Sequence, residues 1–202
     1  MSTPGTLLIV VSAPSGAGKT TLCNRLRAEL PELVYSVSCT TRAPRGQEID
    51  GEDYFFLTPD EFERRVHAGE FLEHATVHGN RYGTLEKTVR SAMAAGHSVL
   101  MDIDVQGAAQ IRAHVAMLES ADPLRVGFVD IFIEPPSLDA LRRRLEGRAE
   151  DAPEVIERRL RQAAGEMACR GQYRHRVVND DLNRAYAEFR ACVLAERQRV
   201  VQ

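Results

Sequence analysis

Residues 9 to 22 read IVVSAPSGAGKTTL. They nearly match the phosphate cradle Gly-x-x-x-x-Gly-Lys-[Ser/Thr], but Ala13 stands where the first glycine belongs. Context decides the reading. Thr6 to Val11, TLLIVV, is a short continuous apolar run rich in β-branched residues and stopped by Ala-Pro-Ser-Gly, the pattern of a buried strand. From Lys19 onward Leu22, Leu26 and Leu30 recur at helical spacing until Pro31 ends the helix. A strand, a glycine-rich turn and a helix N-terminus in that order form a P-loop. Amides from Ser15 to Thr20 then point at phosphate oxygens, and the helix N-terminus adds partial positive charge. Lys19 is placed to reach the β- and γ-phosphates, and the Thr20 hydroxyl to reach Mg²⁺. Alanine is the smallest side chain that can replace the missing glycine, so the loop is expected to survive. The candidate ATP cradle is Ala13, Pro14, Ser15, Gly16, Ala17, Gly18, Lys19, Thr20 and Thr21.

Working outward, SVLMDIDV, residues 98–105, is a second apolar run. Read as one strand, it puts Asp102 and Asp104 two apart on a shared face. Asp102 is the candidate carboxylate for the Mg²⁺ shell. VGFVDIFIEPP, 126–136, and RVVND, 176–180, read as further strands. Helical patterns fall at 84–95, 107–117, 137–146 and from 181 to about 198. Strands alternating with helices predict an α/β fold, a mostly parallel sheet covered on both faces. Two regions break the rhythm. Residues 38–83 are polar, glycine-containing and aromatic, with a helix predicted near Pro59 under a Thr58 cap, and read as an inserted subdomain. Residues 142–176 are rich in arginine.

The chain has 202 residues, 44% hydrophobic, with a formal net charge of -3. That suits one domain, and gives no global reason to expect nucleic acid or an anionic membrane as partner. Cys23, Cys39, Cys169 and Cys192 form no Cys-x-x-Cys pair, which fits a reducing compartment. No apolar run approaches the ~20 residues of a membrane span, and MSTPGT has no leader pattern. A cytoplasmic protein is the expectation.

The stretch SCTTRAPRGQEIDGEDYF, 38–55, narrows the function. Arg42 and Arg45 flank a stiffening proline, and two guanidinium forks held together suit a second anionic group such as a phosphate monoester. Tyr54 and Tyr82 offer hydroxyl donors. SAPSGAGKTTL, TTRAPR, DGEDYFF, FLEHA, GNRYGT, DIDVQGA, PPS, LEGR and VNDDL follow one another in the order and approximate spacing of the guanylate kinases. Over nearly its whole length the chain resembles the bacterial-type members of that family.

The resemblance implies transfer of the γ-phosphoryl group of ATP to GMP, and to dGMP, with Mg²⁺, on a P-loop NTPase-type sheet. It implies a core of 1–37, 97–136 and 168–202, a GMP-binding subdomain of 38–96 and an arginine-rich lid of 137–167. Ser38, Arg42, Arg45, Tyr54 and Tyr82 match positions at the GMP phosphate. Glu73 and Asp104 match the acids that read guanine, and Ser38 and Thr84 match hydroxyls near O6. A carboxylate accepts from guanine N1–H and N2–H₂ together, whereas adenine offers it a lone pair at N1. Arg144, Arg148 and Arg159 match lid arginines that clamp phosphates, and Asn179 matches a position near adenine. Arg42 and Lys19 join the lid arginines as the candidate catalytic set.

Some residues depart from the family pattern: Gly46-Gln47-Glu48 after Arg45, Arg81 before the tyrosine, Ala149 after LEGR, and Arg174 with His175 before VNDD. Two rivals stand beside this reading. A ribose bisphosphate kinase on the same scaffold should lack Glu73, Thr84 and Asp104. A non-catalytic phosphopeptide-binding module should have lost Lys19, Thr20, Asp102 and the lid arginines. The last helix is read as able to serve a homodimer as easily as the core.

Overall fold

The computed structural model describes residues 5–77, 79–147 and 152–201. At its centre is β1 (Leu8–Ser12), buried along its whole length. Alternate residues of this run face opposite layers. Leu7, Ile9 and Val11 pack with Leu22 and Leu26 of α1 (Lys19–Glu29) and with Phe189 and Val193 of α8 (Leu182–Val201). Leu8 and Val10 pack with Val89 and Met93 of α3 (Glu86–Ala94) and with Ala108 and Ile111 of α4 (Val105–Met117). A strand with helices on both sides has no face for polar residues, which is why its sequence is apolar without alternation.

Parallel pairing extends the sheet to five strands in the order β2 (Leu33–Tyr35), β7 (Ser98–Asp102), β1, β8 (Phe128–Glu134), β9 (His175–Val178). Neighbours of β1 therefore come from distant parts of the chain, and the crevice beyond the strand ends at such a switch is where ligands bind in open α/β sheets. Val11 pairs with Asp102 across β1 and β7, so the P-loop and this aspartate leave the sheet side by side.

The inserted region builds a second sheet, in the order β4 (Phe55–Phe56), β3 (Cys39–Thr40), β6 (Asn80–Leu85), β5 (Phe71–Val77). Its small core holds Cys39, Phe71 and Phe62 of α2 (Pro59–His67). The predicted start of α2 stands: Thr58 Oγ1 accepts from Glu61 N at 3.2 Å and Pro59 follows it. After the short α5 (Pro123–Gly127), the arginine-rich region is largely a helical hairpin of α6 (Leu138–Glu146) and α7 (Pro153–Ala168). Leu141 and Leu145 pack there on Ile156, Leu160 and Ala163.

The structure corrects several boundaries. The strand expected through Val105 stops at Asp102, and Asp104 is the N-cap of α4, its carboxylate accepting from Gln106 N and Gly107 N. Capping satisfies two orphan donors that a continued strand would not, so the two aspartates do not share a strand face. The helix expected from Thr84 begins at Glu86, because Thr84 pairs with Glu73 within the second sheet. The last helix has Ala185, Tyr186, Phe189 and Val193 in the core. That face of the helix is therefore taken up by the core.

Candidate active site

The P-loop closes with a turn in which Ala17 N donates to Pro14 O at 3.0 Å. Ala13 answers the question of the missing glycine. Its side chain is 8% exposed and packs into the core cluster beside β1, where a methyl group is accommodated. Gly18 is different. It has φ of 93°, and a Cβ there would stand 2.3 Å from Asn179 Nδ2. Neither the conformation nor the space admits a side chain. Asn179 comes so close because its amide donates to Ala17 O at 2.7 Å. It is buried, and its own N–H donates to Glu134 O at 2.8 Å. Asn179 thus holds the P-loop from behind through one N–H of its carboxamide.

Helix α1 has no side-chain cap and no acid in its first turn, so its leading amides are open to an anion. They face a cavity of about 440 Å³ lined by Ala13, Pro14, Ser15, Gly16, Gly18, Lys19, Thr20, Thr21, Asp102, Asp104 and Glu166. Lys19 Nζ pairs with Asp102 Oδ1 and donates to Ile103 O at 3.3 Å. The ammonium is therefore held over the end of β7. Glu166, on α7, is a member of this site that the sequence reading missed. Burial pushes its carboxyl above the usual range, Lys19 pulls it down and Asp104 raises it further. No motif marks it, and the arginine pattern around it drew the reading elsewhere.

Among the described residues no group of three His, Cys, Asp or Glu side chains is arranged to hold a metal. A cavity with open amides, one hydroxyl from Thr20 and carboxylates from Asp102 and Asp104 instead fits Mg²⁺, which is characteristically held by substrate phosphates and one or two carboxylates.

On the subdomain side, Glu48 organises the arginines. Arg42 Nη1 and Nη2 donate to its two oxygens at 3.0 and 2.9 Å, and Arg45 N donates to Oε2 at 2.7 Å. This pairing raises the Arg42 pKa and holds the Glu48 carboxyl below its usual range. Glu48 takes the end-on edge of the guanidinium, and Nη1 donates also to Ala43 O at 2.8 Å. The Tyr82 hydroxyl stands beside the same guanidinium. The Tyr54 ring lies 5.4 Å from Arg42 Cζ and 6.1 Å from the Tyr82 ring, centroid to centroid. Arg45 is exposed. Glu48→Gln is expected to raise the KM for the phosphate monoester roughly tenfold or more while the KM for ATP holds, since a misplaced clamp is felt strongly. Equal KM values in the variant and wild type would show that Arg42 needs no such support.

Glu73 is 7% exposed. Thr84 Oγ1 donates to its Oε1 at 2.8 Å. That bond fixes the acid in place. The other oxygen, Oε2, lies against Gly107, where a Cβ would be 3.2 Å away. Burial first, then Asp104, raises the Glu73 pKa, and the Thr84 bond opposes them. Ser38, Thr84 and Asp102 line a small cavity of about 80 Å³. Asp102 borders this space and the P-loop cavity, so the two halves of the site meet at the end of β7.

Of the lid arginines, Arg144 Nη2 donates to Asn179 O at 2.6 Å, joining α6 to the segment behind the P-loop. Arg159 lies on α7. Arg148 and Ala149 lie outside the described residues. A larger cavity of about 580 Å³ lies between α2 and α3, lined by Arg65, Glu70, Leu85 and Arg90 among others. None of the residues discussed above as phosphate- or base-binding lines it.

A P-loop at a sheet switch point, with an arginine-bearing subdomain and a helical hairpin beside it, defines the class of P-loop phosphotransferases. The guanylate kinase family profile matches residues 5–196. The chain is 47% identical over 196 residues to the guanylate kinase of Geobacter sulfurreducens, covering 97% of this chain and 92% of that one. It is 51% identical over 197 residues to that of Anaeromyxobacter dehalogenans, covering 97% and 83%. A crystal structure of guanylate kinase from Anaplasma phagocytophilum superposes with a TM-score of 0.68 at 34% identity, over 98% of this chain and 88% of the other. The chain belongs to the guanylate kinase family.

Proposed function

We propose that this chain transfers the γ-phosphoryl group of ATP to GMP, giving ADP and GDP, with the roles that follow. The observation that supports the acceptor most directly is the buried Glu73 carboxylate, held by Thr84, which itself lines the small cavity that shares Asp102 with the P-loop cavity. It presents acceptors to guanine N1–H and N2–H₂, and Asp104 stands beside it as the second acid. Arg42, Arg45, Tyr54 and Tyr82 hold the GMP phosphate, and Ser38 lines the path between them. The P-loop amides cradle the ATP phosphates, and Lys19 exchanges Asp102 for phosphate oxygen when the nucleotide enters.

Thr20 and Asp102 are the residues to hold Mg²⁺, which neutralises phosphate charge when bound. Arg144, Arg159 and Arg148 supply the remaining positive charge from the lid. A GMP phosphate oxygen attacks the γ-phosphorus as its bond to the bridging oxygen of ADP breaks. The attacking oxygen is already anionic, so no general base is required. Positioning and neutralisation do the work.

Segments 38–96 and 137–167 act as GMP-binding subdomain and lid around the core. Cys23, Cys39, Cys169 and Cys192 are all free thiols, which supports residence in the reducing cytoplasm. Among the described residues no helix is long and apolar enough to cross a membrane.

The test is ADP release from ATP and Mg²⁺ with GMP, dGMP, AMP, CMP, UMP and a ribose bisphosphate offered in turn. Turnover is expected with GMP and dGMP alone. Turnover of the sugar phosphate in their place would reassign the acceptor, and GMP binding without turnover would make the chain a binding module.

A further inference from the structure

β5 is an edge strand of the second sheet. It pairs with β6 on one side, with His74 opposite Gly83. The backbone groups on its other side need partners. At His74 they find one side chain from the core. Gln110 Oε1 accepts from His74 N at 3.0 Å, and Gln110 Nε2 donates to His74 O at 3.0 Å. The carboxamide stands in for a neighbouring strand. Asparagine and glutamine alone present a separate donor and acceptor in a peptide-like plane. Here the backbone partners also settle which amide atom is oxygen.

The placement is what gives this contact meaning. Gln110 lies on α4 three residues after Gly107, so the two share a helix face. Gly107 meets the Glu73 carboxylate and Gln110 meets the backbone of the next residue along β5. The same helix begins at Asp104. How closely β5 lies on α4 therefore sets the spacing of Glu73 and Asp104. We propose that Gln110 is a positioning residue for base recognition, pinning β5 to α4 so that the two acids meet guanine together. This rests on the reading of Glu73 as the guanine acceptor.

The test compares Gln110→Glu, which replaces the donor with an acceptor facing His74 O, and Gln110→Met, which keeps length without polar atoms. Glu73→Gln runs beside them. Both Gln110 variants are expected to raise the KM for GMP roughly tenfold, leave the KM for ATP at its wild-type value, and lower the ratio of GMP to AMP turnover. Melting temperatures identify a variant that has failed to fold. A rise in both KM values with the GMP-to-AMP ratio unchanged would mean general loosening and overturn the proposal. So would wild-type values in both variants while Glu73→Gln loses discrimination. If Glu73→Gln itself kept full preference for GMP, the guanine reading would fall instead.

Discussion

Lys19→Ala is expected to lower kcat by on the order of 10³-fold, about 4 kcal/mol of transition-state stabilisation, with the KM for GMP little changed. Lys19 Nζ is bound to Asp102 and Ile103 O at the mouth of the phosphate cavity. Its resting partners hold the ammonium at the cavity, so no large search precedes contact with the β- and γ-phosphates. Charge on the transferring group spreads over its equatorial oxygens in the transition state, where a fixed cation gains most. Removing it does a second harm. Asp102 loses its ion pair and faces the incoming phosphates unpaired. Lys19→Arg is expected to recover little, since a planar fork does not occupy the place of a compact ammonium. The measurement is kcat at saturating ATP and GMP. A value within tenfold of wild type would show that the P-loop amides and lid arginines carry the charge without Lys19.

The legible parts of this protein were those written in contiguous residues. β1 announces itself because burial on both faces forbids polar positions, and the P-loop follows from its place between that strand and a helix. Asp104 was misread because VLMDID carries no glycine or proline to mark the end of the strand. Only the cap bonds to Gln106 N and Gly107 N show where the turn falls. Thr84 was misread for a related reason: strand and helix meet at Leu85 and Glu86 with no breaker between them. The contacts of Asn179 and Gln110 were hidden by another kind of distance, and Glu166 reaches the P-loop cavity only through the fold. Asn179 acts on Ala17 and Gln110 on His74, partners brought near by the fold and contacted through backbone atoms. Backbone atoms are the same in every residue, so the partner's identity leaves no trace in the sequence.

Glu73→Gln carries the other large effect, and it separates specificity from stability. Discrimination of GMP over AMP is expected to fall roughly 10²-fold or more, because the amide turns one acceptor into a donor facing the guanine N–H groups. The pH behaviour follows from the same burial. Desolvation, reinforced by Asp104, holds the Glu73 pKa above the usual carboxylate range. A raised pKa means the folded state favours the protonated acid. Its contribution to stability is therefore present below the ordinary pKa and is lost as pH rises through the raised one. GMP binding runs the other way. Only the ionised form offers two acceptors, so kcat/KM for GMP should rise with pH over the same window, with an acid limb displaced upward. In Glu73→Gln that limb should be absent. The nucleotide-free variant should melt no lower than wild type near neutral pH, since the amide oxygen still accepts from Thr84 without burying a charge. A variant that melts lower yet keeps both its GMP preference and its acid limb would assign Glu73 to structure alone. The expected pairing, a more stable fold that reads the base poorly, is what an acid kept for recognition against the interest of folding should show.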